Sequence, residues 1–183
     1  QREDLMIVWG TKPRISATDV EKVAKAHGVT DKVVVVGIRG YYAKSMGGPG
    51  NDRAVYDDCI AVLSPTAYAT YNANTDPSLF RPGIASLIEG VHPYRRGKHG
   101  LSRPSGGYPA FRPATKGEVL PVRRDGETGI SDGVAINLHK GSYNSTSSAG
   151  CQTIYPAQWN SFYALLDGEL KRHDQKIFSY VLV

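Results

Sequence analysis

Glycine and proline interrupt this chain too often for a bundle of long helices. The 183 residues include 20 glycines and 11 prolines, together about one residue in six, against roughly 12% in average globular proteins. The longest apolar segment, residues 33–38, has the length of a single strand, whereas a helix that spans a bilayer needs about 18 apolar residues. The sequence therefore predicts a mainly β fold with a few helices (α+β) and no insertion into a membrane.

The length and charge of the chain limit its organisation and its partners. A chain of 183 residues fits one domain, since domains usually contain roughly 100–200 residues, so we expect a single domain over residues 1–183 that acts as a monomer. The net charge of +5 suits an acidic partner, although a solvated basic surface is the commoner cause of such a charge. No helix-turn-helix, zinc-finger or RNP pattern is legible, so nucleic acid is not an expected partner.

Local patterns predict the individual elements. Thr18 and Glu21 form a capping box that begins a short helix within an N-terminal segment of residues 1–30, and Gly28 ends that helix. Pro156 opens a longer amphipathic helix near the C-terminus. Strands are predicted over residues 33–38, 55–63, 67–71, 118–124, 133–139 and 177–183.

Prolines and glycines restrict two further segments. Residues 93–113 contain four glycines and four prolines without a sustained period, so we expect a long loop or lid over residues 93–116. Pro121 lacks the N–H group that an inner strand donates, so strand 118–124 is predicted to lie at the edge of a sheet.

The two cysteines stand in unlike surroundings. Cys59 lies in an apolar, strand-like run, where a free cysteine usually acts as a small buried hydrophobic residue. Cys151 follows the small residues 147–150, which predict an exposed turn. We therefore expect one core thiol and one reactive thiol rather than a disulfide.

His139 is the nearest partner that the sequence offers to Cys151. It ends the predicted strand 133–139, whose alternation directs the apolar residues to the core and His139 to the opposite face. The segment that separates His139 from Cys151 is almost wholly small or polar, so it can fold back and bring thiol and imidazole together. Such a pair suits nucleophilic catalysis, because a thiol with an ordinary pKa of about 8.5 is little ionised at neutral pH and needs a base. A chance coincidence of the two residue types is the competing interpretation.

The residues around this pair resemble the signature of a known family. His-Lys-Gly at 139–141, followed by Ser-Ala-Gly-Cys at 148–151, is similar to the His-Gly and Ser-x-Gly-Cys motifs of YkuD-type L,D-transpeptidase catalytic domains. The resemblance implies a mostly β catalytic domain, a β-sandwich or barrel over residues 1–183. It also implies attack on a peptidoglycan stem peptide at the bond between the third residue and the terminal D-alanine.

The same resemblance assigns roles to individual residues. Cys151 would be the nucleophile and His139 the base. Ser148 and Gly141 would be motif residues that support the site. The amides of Gly150 and Cys151 would form the oxyanion hole, and the missing side chain of Gly150 would let the substrate carbonyl approach.

Other polar residues are candidate substrate contacts. Arg95, Arg96 and His99, at the start of the predicted lid, suit the carboxylates of an acidic stem peptide. Lys140 and Gln152 flank the two catalytic candidates and are assigned to substrate binding as well.

No cofactor or metal is expected. His92 and His99, combined with Asp57 or Asp58, are the residues considered as ligands, and they lack the spacing of a zinc motif.

Two features favour hydrolysis over cross-linking. Thr153 stands where the family has an arginine that helps to bind the substrate, and Gly-Cys-Gln-Thr at 150–153 ahead of a helix with tryptophan resembles proteins of phages or prophages of Gram-negative bacteria. These resemblances imply an L,D-carboxypeptidase or endopeptidase, such as a phage endolysin, that acts in the bacterial periplasm or cell wall. Gln1 to Asp4 carry both charges and precede no long apolar run, so no signal peptide is expected, in keeping with synthesis in the host cytoplasm.

Three alternatives stay open at this point. An L,D-transpeptidase would pass through the same thioester but transfer it to an amine. An NlpC-like cysteine peptidase would use Cys59 as nucleophile with His92, His99 or His139 as base. A wall-binding module would keep the fold without the chemistry.

Overall fold

Eight strands close into a barrel in the computed structural model, which describes residues 11–42 and 53–183. In chain order the elements are α1 (Ala17–Ala26), β1 (Val34–Ile38), β2 (Asp58–Leu63), β3 (Tyr68–Asn74), β4 (Ala85–Leu87), β5 (Gly90–His99), β6 (Tyr108–Pro113), a 3-10 turn (Lys116–Glu118), β7 (Val119–Arg124), β8 (Ser131–Val134), β9 (Leu138–Lys140), β10 (Gln152–Ile154), α2 (Pro156–Arg172) and β11 (Ile177–Leu182). The barrel order is β1-β11-β5-β6-β9-β10-β3-β2, and β4-β7-β8 form a second, three-stranded sheet. The prediction of a mainly β, α+β fold is confirmed.

The apolar run at residues 33–38 is explained by strand β1, which is buried on both faces. Val33 and Val35 belong to the main core cluster, which also contains the buried residues of α2. Val34 and Val36 point the other way, into a second cluster beneath α1. Because both faces of β1 are covered, the strand reads as continuous valine rather than as an alternation.

Helix α2 supplies the largest single share of the core. Its buried apolar side chains are Trp159, Phe162, Leu166 and Leu170. Their spacing places them on one face, as the sequence predicted, and each fully buried side chain of this size stabilises the fold by about 1.5–3 kcal/mol. None of the helices in residues 11–42 and 53–183 is long and apolar enough to cross a membrane.

The predicted long loop or lid over residues 93–116 is wrong. Most of this segment pairs as the antiparallel hairpin β5–β6, and the connecting loop covers only residues 100–107. Gly97 shows why glycine occurs inside this hairpin. The Arg112 side chain packs over it, and a Cβ at position 97 would come within 2.7 Å of that side chain. The glycine therefore marks a close approach inside a sheet rather than a flexible turn.

The edge position predicted for strand 118–124 is also wrong. Strand β7 lies between β4 and β8. Pro121 is tolerated there because β4 is short and its paired positions on β7 reach only from Val122 to Arg124. The Pro121 carbonyl still accepts a hydrogen bond from the amide of Ile88 at 3.1 Å.

Two local details differ from the predictions. The N-cap of α1 is Ser16, whose hydroxyl accepts from the Asp19 amide at 3.1 Å, rather than Thr18. The predicted strand 133–139 is broken, since Ala135 has a positive φ of 55° between β8 and β9. This break leaves Val134 exposed instead of on the core face.

Candidate active site

Strand pairing in the barrel brings Cys151 and His139 together. His139 lies in the middle of β9, and Cys151 directly precedes β10, which runs parallel to β9. The Cys151 Sγ atom lies within 4.8 Å of a ring nitrogen of His139 and of a ring nitrogen of His99. The amide of Asn137 donates to Sγ at 3.3 Å and fixes the direction of the thiol.

The tautomer of His139 follows from its hydrogen bonds. Its Nδ1 atom lies 2.8 Å from the carbonyl oxygen of Lys140. A carbonyl oxygen only accepts, so Nδ1 carries the proton and Nε2 keeps a free lone pair. The Tyr108 hydroxyl also lies 3.3 Å from Nδ1 and holds the ring from the side of β6. His139 is therefore prepared to take a proton at Nε2.

Burial keeps both members of the pair neutral. It raises the pKa of the Cys151 thiol to about 11, although the Asn137 amide and the Arg112 charge act in the opposite direction. Burial and the neighbouring His99 lower the pKa of His139 to about 3. The sequence predicted an exposed, activated thiol; the Cys151 side chain is only partly exposed. The resting pair is thus thiol and imidazole rather than thiolate and imidazolium.

A second imidazole, His99, lies face to face with His139. The two ring centroids are 3.6 Å apart and the planes differ by 12°. The side-chain nitrogen of Asn137 lies 3.1 Å from the Nδ1 atom of His99. An amide nitrogen donates, so this Nδ1 accepts and the proton of His99 is on Nε2. Burial lowers the pKa of His99 as well, so the stacked rings are both uncharged at neutral pH.

Ser148 organises the turn that precedes Cys151. Its hydroxyl donates to the Cys151 carbonyl at 2.6 Å and accepts from the Gly150 amide at 3.0 Å. The Ser148 amide donates to the hydroxyl of Ser78 at 2.8 Å, which ties the turn to a neighbouring segment. Ser148 therefore supports the turn without facing the substrate.

This arrangement changes the predicted oxyanion hole. The Gly150 amide is occupied by Ser148 and is not available to an oxyanion. In the part of the chain that the structure describes, the Cys151 amide donates to no group. Of the two amides that the resemblance implied, only that of Cys151 is available.

The two motif glycines are required by packing. Gly150 has a positive φ of 137°, and a Cβ there would lie 2.9 Å from the carbonyl oxygen of Ala85 in β4. A Cβ on Gly141 would overlap the Tyr56 hydroxyl, which donates to the Ser142 carbonyl at 2.6 Å. The space predicted for a substrate carbonyl at Gly150 is thus taken by the second sheet.

Three of the predicted substrate contacts are engaged elsewhere. Arg95 forms an ion pair with Glu118 at 3.4 Å, and Arg96 pairs with Asp167 of α2 at 2.6 Å. Gln152 is fully buried, where it accepts from the Tyr180 hydroxyl at 2.7 Å. The residues that satisfy these three side chains are distant in the sequence, so spacing could not reveal them, and the assignment of the three to substrate binding stays a prediction.

Two of the predicted substrate-binding residues, Lys140 and His99, lie next to His139. Lys140 is exposed beside His139. His99 lies against the His139 imidazole, although it ends β5 rather than standing in a lid.

Asn137 and Tyr108 are site residues that the sequence analysis missed. Asn137 connects the thiol to His99 through its amide and its side chain. Tyr108 contacts the rings of His99 and His139 from the first position of β6. The apolar alternation around Asn137 was the available signal, since it placed this polar residue on the same face as His139.

The alternative nucleophile Cys59 is inaccessible. It is fully buried in β2, and burial raises the pKa of its thiol to about 12. An NlpC-like site needs its cysteine at the start of a helix, so the structure contradicts that alternative.

In residues 11–42 and 53–183, the His, Cys, Asp and Glu side chains that come together closely enough for a metal ion are His99, His139 and Cys151. Neither His92 nor Asp57 or Asp58 belongs to this cluster. A metal lies close to the plane of each imidazole that binds it, at about 2.0–2.1 Å. The nearly parallel rings of His99 and His139 have no such common point, so they would have to rotate before they could share an ion.

The protonation states predict how the two thiols react. Cys151 should be alkylated by iodoacetamide faster than Cys59, because only Cys151 has exposed surface. Its rate should rise about tenfold per pH unit between pH 6 and 9, since the thiolate fraction grows toward a raised pKa. Peptide mapping after brief labelling measures both rates. A rate that is constant over this range would reveal a preformed thiolate, and faster labelling of Cys59 would reverse the assignment of the two thiols.

The site thus consists of a partly exposed thiol, an imidazole with a free Nε2 lone pair, and a second imidazole stacked against the first. No family model, curated protein or solved structure matches the chain.

Proposed function

We propose that the protein is a cysteine-dependent peptidoglycan hydrolase with an L,D-transpeptidase-type catalytic domain, which cleaves stem peptides at an L,D bond through a thioester. The observation that carries the proposal is the Cys151 thiol within 4.8 Å of a His139 ring nitrogen. The His139 tautomer, with its Nδ1 proton held by the Lys140 carbonyl, supports it. The sequence signature at 139–141 and 148–151 supplies the substrate class.

In the first step the thiol would attack the carbonyl carbon of the third stem residue. His139 Nε2 takes the thiol proton as the Sγ–C bond forms, because the thiol is protonated at neutral pH. The Cys151 amide donates to the developing oxyanion. The buried imidazolium is a strong acid with a pKa of about 3, so it readily passes its proton to the leaving amine. The C–N bond then breaks and leaves a thioester on Cys151.

In the second step water would attack the thioester carbonyl. His139 takes a proton from that water and returns it to the sulfur as the C–S bond breaks. The products are a shortened stem with a new carboxyl group and the free thiol. Two features support water as the acceptor: Cys151 retains partial exposure, and the segment predicted to form a closing lid is mostly the β5–β6 hairpin. The site of action we propose is the bacterial periplasm or cell wall, and the biological role is that of a phage endolysin.

The products distinguish the proposed reaction from its alternatives. Incubation with purified Gram-negative muropeptides should lower the mass of tetrapeptide stems by one alanine or split cross-linked dimers at an L,D bond, as measured by liquid chromatography and mass spectrometry. New dimers, or exchange of the terminal residue for an added D-amino acid, would identify a transpeptidase. Binding to sacculi without any new product would identify a wall-binding module.

A further inference from the structure

Arg103 is a cation in the loop that follows His99. It lies in the loop 100–107 between β5 and β6 and is exposed. Its backbone amide donates to the Gly100 carbonyl at 3.0 Å, which closes a tight turn after His99. In the described ranges, 11–42 and 53–183, its guanidinium forms no ion pair.

The side chain of Arg103 folds back toward the catalytic imidazoles. A Cβ on Gly100 would lie 2.9 Å from both Cδ and Nε of Arg103, so the guanidinium stem lies against the residue that follows His99. Gly100 has a φ of 78°, a conformation that favours glycine. The Arg103 charge also helps to lower the pKa of His99 and of His139.

The other arginine near the site is already neutralised. Arg112 binds Glu118 through Nε at 2.5 Å and through Nη2 at 2.7 Å, and its Nη1 atom donates to the Lys98 carbonyl. The Arg112 fork is therefore occupied, whereas that of Arg103 has no ion-pair partner among residues 11–42 and 53–183. A free guanidinium beside two neutral imidazoles suits a carboxylate, which it can bind through two parallel hydrogen bonds.

The geometry of the reaction fixes where such a carboxylate would be. His139 must lie next to the leaving amine in order to protonate it. If the leaving group is a single terminal residue, its carboxylate lies only one residue from the scissile carbonyl, at most about 3.6 Å along the chain. The carboxylate of a terminal D-alanine therefore falls on the His139 side of the thiol, where His99 stacks on His139 and the loop that carries Arg103 begins.

Resting on the proposed function, we infer that Arg103 binds the free C-terminal carboxylate of the stem peptide and makes the protein selective for uncapped tetrapeptide stems. Arg103 is then the residue that determines specificity for carboxypeptidase action over cleavage inside cross-links. Arg95 and Arg96, which the sequence suggested for this task, are held by Glu118 and Asp167 instead.

Binding to an inactive protein tests this inference without turnover. In the Cys151→Ala background, a synthetic tetrapeptide stem with a free terminal carboxylate and the same peptide with a terminal amide are titrated by calorimetry. We expect the acid to bind about ten- to a hundredfold more tightly than the amide, the range of a charge-assisted contact. Adding Arg103→Gln should remove this preference, and adding Arg103→Lys should restore part of it.

Arg123→Gln is the matched control, because it removes an exposed arginine that pairs with Glu89 outside the site, and it should leave the preference unchanged. Equal binding of acid and amide by the Cys151→Ala protein would overturn the inference, as would an equal loss of both in Arg103→Gln. Binding of neither peptide would also overturn it. The muropeptide digest with the wild-type protein, in which cleavage of either a tetrapeptide stem or a cross-linked dimer counts, then reports separately whether the proposed function holds.

Discussion

Cys151→Ala is expected to abolish the release of alanine from muropeptides, with a loss of at least about 10⁴-fold, because no thioester can form without Sγ. The substitution also leaves the Asn137 amide without the sulfur that it contacts at 3.3 Å. An unsatisfied amide of this kind costs about 1–3 kcal/mol, so the thermal unfolding of the variant is measured beside its activity. Cys151→Ser, which keeps an acceptor for that amide, should be equally inactive and closer to the wild type in stability.

Cys59→Ala is the matched control for this experiment. Cys59 packs in the second core cluster with Val34, Val36 and Ala61. It has no role in the proposed reaction. Removing its sulfur leaves a small cavity, which should lower the free energy of unfolding by about 1 kcal/mol while most of the activity is kept. Loss of activity in both variants with intact folding, or loss only in Cys59→Ala, would contradict the assignment of Cys151 as nucleophile.

Elements defined by local periodicity could be predicted from the sequence. The valine run of β1 and the apolar face of α2 can each be recognised from a short stretch of sequence, and the structure has both. The hairpin β5–β6 could not be found in this way, because Gly97 looks like a loop residue until β6 is paired beside it and the Arg112 side chain packs over it. The frequency of glycine and proline indicates only the local conformational preferences of the backbone. It does not show whether a partner strand pairs with the segment.

The residues of the candidate site also fall into those that local sequence could reveal and those that only strand pairing brings in. His139 and Cys151 are near each other in sequence, and the strands that carry them are neighbours in the barrel, so spacing and motif sufficed to pair them. His99 and Tyr108 reach the site from the β5–β6 hairpin, through strand pairings that a single sequence does not reveal.

Protonation was mispredicted for a related reason. The small residues before Cys151 suggested an exposed thiol, yet the turn is held down by Ser148 and the thiol is mostly covered. Burial is a property of the assembled barrel, and it is burial that sets the pKa values of both Cys151 and His139. Because the thiol is protonated at neutral pH, the proposed attack requires that the thiol proton be transferred to His139. The reaction therefore depends on this base.

His139→Ala should therefore lower kcat/KM for muropeptide cleavage by about 10²–10⁴-fold, the usual effect of losing a general base. For the wild type we expect kcat/KM to be nearly constant from pH 5 to pH 9. The imidazole is neutral above its pKa of about 3, and the thiol stays protonated below its pKa of about 11. Without His139 only the thiolate can attack, so the residual activity of the variant should rise with pH over the same range.

His99→Ala is the control for this pH profile. It removes the stacked ring, which is one of the causes that lower the pKa of His139, but keeps the Nδ1 contact of His139 with the Lys140 carbonyl at 2.8 Å. The acidic limb of its profile should therefore move to higher pH, while the rate above that limb stays independent of pH instead of rising as in His139→Ala. Circular dichroism confirms that each variant is folded before the rates are compared. A normal rate in His139→Ala would remove His139 as the base. A wild-type profile with an acidic limb near pH 6.5 would mean instead that the imidazole titrates as it does in water, and that the buried neutral pair does not describe the reactive enzyme.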